Sequence, residues 1–402
     1  MPFSPFSSLP MAPRDPILGL NEAFAADPRP TKVNLGVGVY SDDNGKVPLL
    51  AAVKLAEQQR TDAAPARGYL PIDGLAGYNL AVQTLLFGTD SPLVNQQRVA
   101  TVQALGGTGA LKVGADLLKR FVPDAHVWIS DPSWENHRAL FESAGFTVNT
   151  YPYYDADSHG VRFDAMLQSL RAMPAQSIVV LHACCHNPTG VDLTPDQWAQ
   201  IVTACIDGKL IPFIDMAYQG FGDGIEPDAS AVRQFAASSQ DFLVSSSFSK
   251  SFSLYGERVG ALSVVAQDKD EAARILSQLK RVVRTNYSNP PTHGGAVVAT
   301  ILNSPALRQQ WEQELAGMRD RIRAMRTGLV DRLKARGVKR DFGFVSKQRG
   351  MFSYSGLTSA QVDRLRDEFG IYAVSTGRIC LAALNSRNID AVADAIAKVI
   401  EA

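Results

Sequence analysis

The chain reads as an α/β protein: a large domain with a mostly parallel central sheet, plus a smaller α/β domain. Three observations predict this. Short apolar runs alternate with amphipathic stretches between about residues 99 and 265, which is the pattern of strands and helices that pair in parallel and place ligands beyond the strand ends. A long helical pattern follows at 305–336, with Leu307, Trp311, Leu315, Met318, Ile322, Met325, Leu329 and Leu333 at three- and four-residue steps. It ends at Gly337 and leads into a separate set of short elements. The length, 402 residues, also exceeds one ordinary domain.

Composition narrows the function. Hydrophobic residues at 46% and charged residues at 20% are globular values. Lys plus Arg equals Asp plus Glu at 40 each, which argues against nucleic acid or an anionic membrane as partner. No apolar run reaches the length of a membrane span. The start, Met1-Pro-Phe-Ser-Pro-Phe6, has neither a basic nor an apolar signal region. Cys184, Cys185, Cys205 and Cys380 form no spaced framework, which fits a reducing cytoplasm.

In chain order, residues 1–30 are rich in Pro and Ser and hold one short apolar run at Ile17–Leu20, which suits an arm better than a core element. Val33–Tyr40 reads as a strand in which Gly36 and Gly38 leave room for close approach. A helix is expected over 49–59. Tyr69 then stands in the middle of the loop Arg67–Gly74, where a half-buried anchor is the ordinary role. Val99–Val102 runs as a strand into Gly106-Gly107-Thr108-Gly109 and an amphipathic helix. A glycine-rich turn opening a helix offers free N–H groups to a phosphate. It lacks the G-x-G-x-x-G spacing of a dinucleotide site, so a dehydrogenase is set aside.

Strand Val127–Ser130 leads to Trp134, which is either core or a surface for stacking on a planar ring. Strand Ser177–Leu181 leads to His182-Ala-Cys-Cys-His186-Asn187-Pro188. A metal site is rejected there, since no later Cys or His pair completes a tetrahedron. Asn187-Pro188 could form a cis turn that aims the amide into a site. Thr194-Pro-Asp-Gln197 is a capping box before a helix burying Trp198, Ile201, Val202 and Cys205. Strand Leu210–Ile214 ends at Asp215, an acid that needs a partner such as a pyridinium N–H, with Tyr218 placed to reach a ring oxygen.

The most informative stretch is Ser245-Ser-Ser-Phe-Ser-Lys250-Ser-Phe-Ser-Leu-Tyr-Gly-Glu-Arg258-Val-Gly260, between the apolar runs Phe242–Val244 and Val259–Val265. A lone lysine on such a connection is ordinarily solvated. Here Ser245, Ser246, Ser247 and Ser249 offer hydroxyls and Arg258 a phosphate-binding fork. An amine beside a phosphate clamp is what a lysine Schiff base with pyridoxal phosphate requires. Beyond the long helix, strands are expected near Gly350–Tyr354 and Tyr372–Val374, with helices from about Ser359 and from Ile389.

The run around Lys250 resembles the cofactor-lysine signature of class I aminotransferases, in the aspartate and aromatic amino acid branch. Further motifs recur in family order, from Pro16-Ile-Leu-Gly-Leu20 to Thr376-Gly377-Arg378-Ile379. The resemblance implies a fold-type I pyridoxal-phosphate-dependent transferase, with an arm at 1–14, a small domain of 15–47 and 317–402, and a large domain of 48–316. It implies Lys250 as Schiff-base lysine and proton carrier, Asp215 on the pyridine nitrogen, and Asn187 and Tyr218 on the ring oxygen. Gly107, Thr108, Ser247, Ser249, Arg258 and, from a neighbouring subunit, Tyr69 would hold the phosphate, with Trp134 stacked on the ring. Arg378 would bind the α-carboxylate, and Arg284 across a homodimer interface the distal carboxylate. Gly38, Trp134 and Asn187 would complete the substrate site.

Ala183–Gly190 and Ser249–Arg258 look more like the aromatic branch, and Asn286–Gly294 more like the aspartate branch. Ser41 and Val47 lack the polar threonine and lysine usual in strict aspartate enzymes. The expectation is an aromatic-amino-acid aminotransferase that accepts aspartate and passes the amino group to 2-oxoglutarate. A strict aspartate aminotransferase is the alternative. A pyridoxal phosphate lyase is disfavoured by the two substrate arginines, and a mere binding protein by the intact Lys250, Asp215 and Tyr218 set.

Overall fold

A computed structural model describes residues 6–12, 17–238 and 240–401. Its centre is a seven-stranded sheet: β1 (Val99–Leu105), β2 (Val127–Asp131), β3 (Val148–Pro152), β4 (Ile178–His182), β5 (Ile211–Met216), β6 (Phe242–Ser247) and β7 (Val259–Val265). The spatial order is β1-β7-β6-β5-β4-β2-β3, with β7 antiparallel to both neighbours and the other pairs parallel. Every residue of β4, β6 and β7 is buried, as expected for strands covered by helices on both faces. Alternate residues feed two cores. Val180, Phe213, Leu243 and Leu262 face the helices α1 (Gly106–Phe121) and α2 (Lys269–Asn286). Leu181, Ile214, Val244 and Ala261 face the larger core on the other side.

The predicted capping box is present: Thr194 accepts from the Gln197 N–H, and the Gln197 side chain accepts from the Thr194 N–H. The helix it starts buries Trp198, Ile201, Val202 and Cys205. The long helix α3 runs Pro305–Ala335 and buries the expected stripe with one exception. The stripe position between Ile322 and Leu329 belongs to Arg326 and not to Met325, which is only partly buried. The rest of the helix is also less solvated than its basic sequence suggests. Arg319 donates to Gly220 O, Arg321 to Ser41 O and Leu384 O, and Arg323 to Gly222 O. Long arginine stems lie along the apolar surface and place their heads on carbonyls.

The expected strand Val33–Tyr40 is shorter than predicted. Only Val33–Asn34 joins a ladder, parallel to Ile371–Tyr372; beyond Leu35 the chain turns toward the strand ends of the central sheet. Phe352–Tyr354 pairs antiparallel with Arg378–Cys380. The run beginning at Ile17 is not a plain arm, since Leu18–Ala26 is helical. Of the expected arm, residues 1–5 and 13–14 lie outside the described residues, as do Asp15 and Pro16. The helix expected at 49–59 occupies Ala51–Ala63. No helix among the described residues is long and apolar enough to cross a membrane. All four cysteines are buried and free.

The contact of α1 with the sheet sets how close the glycine-rich turn comes to β5 and β7. At Gly114 a Cβ would lie 2.4 Å from Phe213 Cζ and 3.3 Å from Leu262 Cδ1, and the Phe213 ring is fixed by an edge contact with Phe141. Gly114→Val is expected to destabilise the fold by about 1–3 kcal/mol, the usual cost of overpacking. Denaturant unfolding would read this as a lower midpoint at unchanged slope; an unchanged midpoint would contradict so tight a packing.

Candidate active site

The carboxyl ends of the parallel strands open into a cavity of about 500 Å³, the place where open α/β sheets bind ligands. It collects most of the residues singled out from the sequence: Gly38, Gly107, Thr108, Trp134, Asn187, Asp215, Tyr218, Ser247, Ser249, Lys250, Arg258 and Arg378. Register explains the convergence. His182 pairs with Asp215, and Asp215 with Ser245, so β4, β5 and β6 end at one level.

Asp215 is 5% exposed. Burial alone would raise its carboxyl, yet a hydrogen bond from His137 and the nearby Lys250 amine hold it below the ordinary value. His137 Nε2 lies 3.0 Å from Asp215 Oδ2, and His137 Nδ1 lies 2.9 Å from Ser133 Oγ. A carboxylate only accepts, so Nε2 carries a proton and donates it to Asp215. Sequence reasoning gave His137 no role. The available signal was its place three residues after Trp134, which puts both on the first turn of the helix Glu135–Ser143 beside β2.

Lys250 follows β6, with Nζ 4.9 Å from the centre of the Tyr218 ring. Burial lowers its amine to about 8; Asp215 pulls the value up and Arg258 pushes it down. The turn is held by Phe248 N–H on Val259 O and Ser253 N–H on Lys250 O. Behind it, Trp311 of α3 donates to Ser251 O at 2.7 Å and stacks on Phe252 at 4.4 Å.

At the other end of the cavity α1 begins at Gly106 with no side-chain cap. Its first-turn N–H groups therefore join the Thr108, Ser247 and Ser249 hydroxyls and the Arg258 guanidinium as an anion site. Arg258 is anchored through Tyr255 O at 3.0 Å. A phosphate here, an acid for a ring nitrogen at Asp215, an amide and a phenol for a ring oxygen at Asn187 and Tyr218, and a depressed amine at Lys250 match the donor set that pyridoxal phosphate requires.

Arg378 is 1% exposed. Nη1 donates to Asn187 Oδ1 at 3.0 Å and Nη2 to Gly36 O at 2.7 Å, while Nε has no partner among the described residues. The nearest carboxylate oxygen, on Glu135, is 3.8 Å away. The Phe352 ring lies 4.4 Å from the guanidinium carbon. Val37, Tyr255 and Phe352 also line the cavity and were not singled out from the sequence.

Two expected site residues are not brought in. Tyr69 is 96% exposed, and Arg284, near the end of α2, is exposed with a bond to Ser288 Oγ. Neither lines the cavity. The His182–His186 stretch, where a metal site was set aside, is buried, with the two imidazole centres 4.3 Å apart. His186 bonds Ser130 and Thr189, and Cys184 Sγ points to Met216 Sδ at 3.8 Å. His182 does reach the cavity. Burial and then His137 lower it to about 3, so it is neutral, and neither ring nitrogen has a partner among the described residues.

In the cofactor-free protein, only unprotonated Lys250 attacks an aldehyde. Uptake of pyridoxal phosphate, followed by stopped-flow absorbance, should therefore speed up with pH and level off above about 8. Because Asp215 holds the proton on the amine, Asp215→Asn should move the midpoint to lower pH. A midpoint near the free-lysine value of about 10.4, or one unmoved by the substitution, would remove this electrostatic account.

Comparison with known proteins agrees with the geometry. The chain is 65% identical over 395 residues to an aspartate aminotransferase of Pseudomonas aeruginosa, covering 98% of this chain and 99% of that one. It is 55% identical over 388 residues to an aromatic-amino-acid aminotransferase of Escherichia coli, covering 96% and 98%. The crystal structure of an aromatic-amino-acid aminotransferase from Burkholderia pseudomallei, covalently bound to pyridoxal phosphate, superposes with a TM-score of 0.97 at 69% identity, covering 99% and 100%. The sequence profile of the family described as aminotransferase class I and II matches residues 30–396, and the chain belongs to that family.

Proposed function

We propose that the protein is an aromatic-amino-acid aminotransferase that also accepts aspartate and uses pyridoxal phosphate to pass the amino group reversibly to 2-oxoglutarate. The observation that carries this reading is Arg378: a buried guanidinium which, among the described residues, has an unpartnered Nε and no carboxylate in hydrogen-bond reach. A carboxylate ligand completes such a fork. With that carboxylate held, the substrate Cα would face Lys250, whose lowered amine would take the Cα proton and return it on the same face to the cofactor carbon, as base and then acid. The bound cofactor supplies the electron sink for that proton's removal. Asp215, charged and fixed by His137, keeps a ring nitrogen protonated. Asn187 and Tyr218 orient the ring oxygen, and Trp134 forms one wall.

The aromatic preference is supported by Val37, Gly38 and Phe352 in the cavity lining and by Ser41 and Val47 where a strict aspartate enzyme is polar. A strict aspartate enzyme is the second reading, favoured by the name of the Pseudomonas relative. Wild-type half-reactions with phenylalanine and aspartate decide between them. Arg284→Leu extends the test. Losing one charge-assisted partner of a carboxylate costs about 2–5 kcal/mol, so aspartate and 2-oxoglutarate turnover should collapse while the phenylalanine half-reaction falls little. Equal losses would take Arg284 out of the distal-carboxylate role.

We further place the enzyme in the cytoplasm as a homodimer with shared sites. Among the described residues, the large apolar side chains left exposed include Val47, Leu49, Leu55, Tyr69 and Leu80, which a second copy could cover. Tyr69 and Arg284, too far out to serve their own cavity, would serve the partner's. Mixing Arg284→Leu with Arg378→Leu under subunit exchange should then restore aspartate activity, because each hybrid has one site with both lesions and one with neither. Exchange without recovery would mean that both arginines act within one chain.

A further inference from the structure

Arg326 occupies a core position of α3, between Ile322 and Leu329, and is 1% exposed. A leucine or methionine would continue the apolar stripe there. The guanidinium forms no ion pair with a carboxylate among the described residues. It donates instead to carbonyls of a single segment: Nη1 to Val345 O at 3.0 Å, and Nη2 to Arg349 O at 3.3 Å, Gly350 O at 2.8 Å and Phe352 O. Burial lowers its pKa to about 10, which leaves it charged at neutral pH. An uncompensated buried cation is costly, so its place in the stripe calls for a reason.

The clamped segment leads to Arg378 by two routes. Phe352, whose carbonyl Arg326 holds, lays its ring 4.4 Å from the Arg378 guanidinium and 6.1 Å, edge-on, from Tyr218. It pairs with Cys380, two residues past Arg378. On the second route, Arg349 N–H donates to Gly190 O at 2.7 Å. Gly190 has φ +71, and a Cβ there would come within 2.6 Å of Phe352 O and 3.1 Å of Arg349 O. Two of the carbonyls held by Arg326 thus press on the turn that carries Asn187, and Asn187 Oδ1 accepts from Arg378 Nη1.

We propose that Arg326 is a positioning residue for the α-carboxylate site: by clamping the 345–352 segment it fixes both Phe352 and the Asn187 turn, and through them the orientation of Arg378. Arg326 touches neither cofactor nor substrate. The inference rests on Arg378 being the α-carboxylate ligand. It predicts a defect that tracks the substrate carboxylate and not the cofactor or the proton transfer.

The test compares the holoenzyme's half-reactions with phenylalanine and with 2-phenylethylamine, which has the same ring and amine but no carboxylate. Arg326→Met should lower kcat/KM for phenylalanine by about tenfold or more, mostly through KM, and change that for 2-phenylethylamine by less than about threefold. Arg326→Lys keeps the cation but loses the planar fork. It should fall between, narrowing the ratio of the two substrates by at least about threefold, and it decides the matter if the methionine variant does not fold. Cofactor absorbance should be unchanged in both. Equal losses on the two substrates, or an unchanged ratio, overturn the proposal and leave Arg326 as a structural clamp. Arg378→Lys separates the two levels. If it leaves the ratio intact, the α-carboxylate reading falls and this inference with it. If it collapses the ratio while the Arg326 variants do not, the inference alone falls.

Discussion

The site depends on keeping the Asp215 carboxylate charged at the end of a buried strand. Removing a carboxylate from water costs several kcal/mol unless hydrogen bonds replace the lost solvent. The His137 bond supplies part of that replacement. His137 is in turn oriented by Ser133, and its ring meets Trp134 edge-on at 5.2 Å. One helix turn after β2 therefore fixes both the acid and the wall on which a planar ring would lie. The same carboxylate raises the Lys250 amine against the effect of burial, so acid and base are set by a single charge whose protonation state the fold controls.

The second organising element is α3. It supports several of the loops that reach the cavity. Trp311 holds the turn after Lys250, Arg319 holds Gly220 just beyond β5, and Arg321 ties Ser41 to Leu384. Arg326 then clamps the segment under Arg378. The basic residues of this helix serve mainly as carbonyl ligands, since irregular loops expose main-chain oxygens that must find donors when buried. A rigid rod carrying long multidentate side chains meets that need without adding backbone.

Most of this was legible in the sequence wherever a local rule was decisive. The alternation of apolar runs pointed to a mostly parallel sheet, Gly106–Gly109 to the opening of α1, and Thr194–Gln197 to a cap. Lys250 and Asp215 were visible because polar residues at the ends of apolar strands need partners. What was not legible depended on three-dimensional pairing. His137 and Asp215 are 78 positions apart, and nothing in either stretch announces the other. Arg326 was passed over in favour of Met325 because periodicity ranks residues by hydropathy, whereas a guanidinium can enter a core when carbonyls converge on it. The short ladder at Val33–Asn34 has a similar origin, as β propensity in Val33–Tyr40 yields to the chain's path toward the cavity.

The exposure of Arg284 bears on how one site could take both a carboxylate and an aromatic ring. A second cation fixed inside the cavity would be left unpaired whenever a ring replaced the distal carboxylate, and a buried unpaired charge is strongly penalised. On the proposed reading Arg378 would avoid this cost, because every amino acid substrate brings an α-carboxylate. The distal group differs between substrates, so its partner is best kept in water until needed. Arg284 meets that condition: it is exposed and, among the described residues, bonded to the Ser288 hydroxyl. On the shared-site reading it would enter the partner's cavity for aspartate and stay solvated for phenylalanine. Tolerance of two substrate classes would then follow from where this exposed cation rests when it is not in use, with no change in the walls that Trp134 and Phe352 provide.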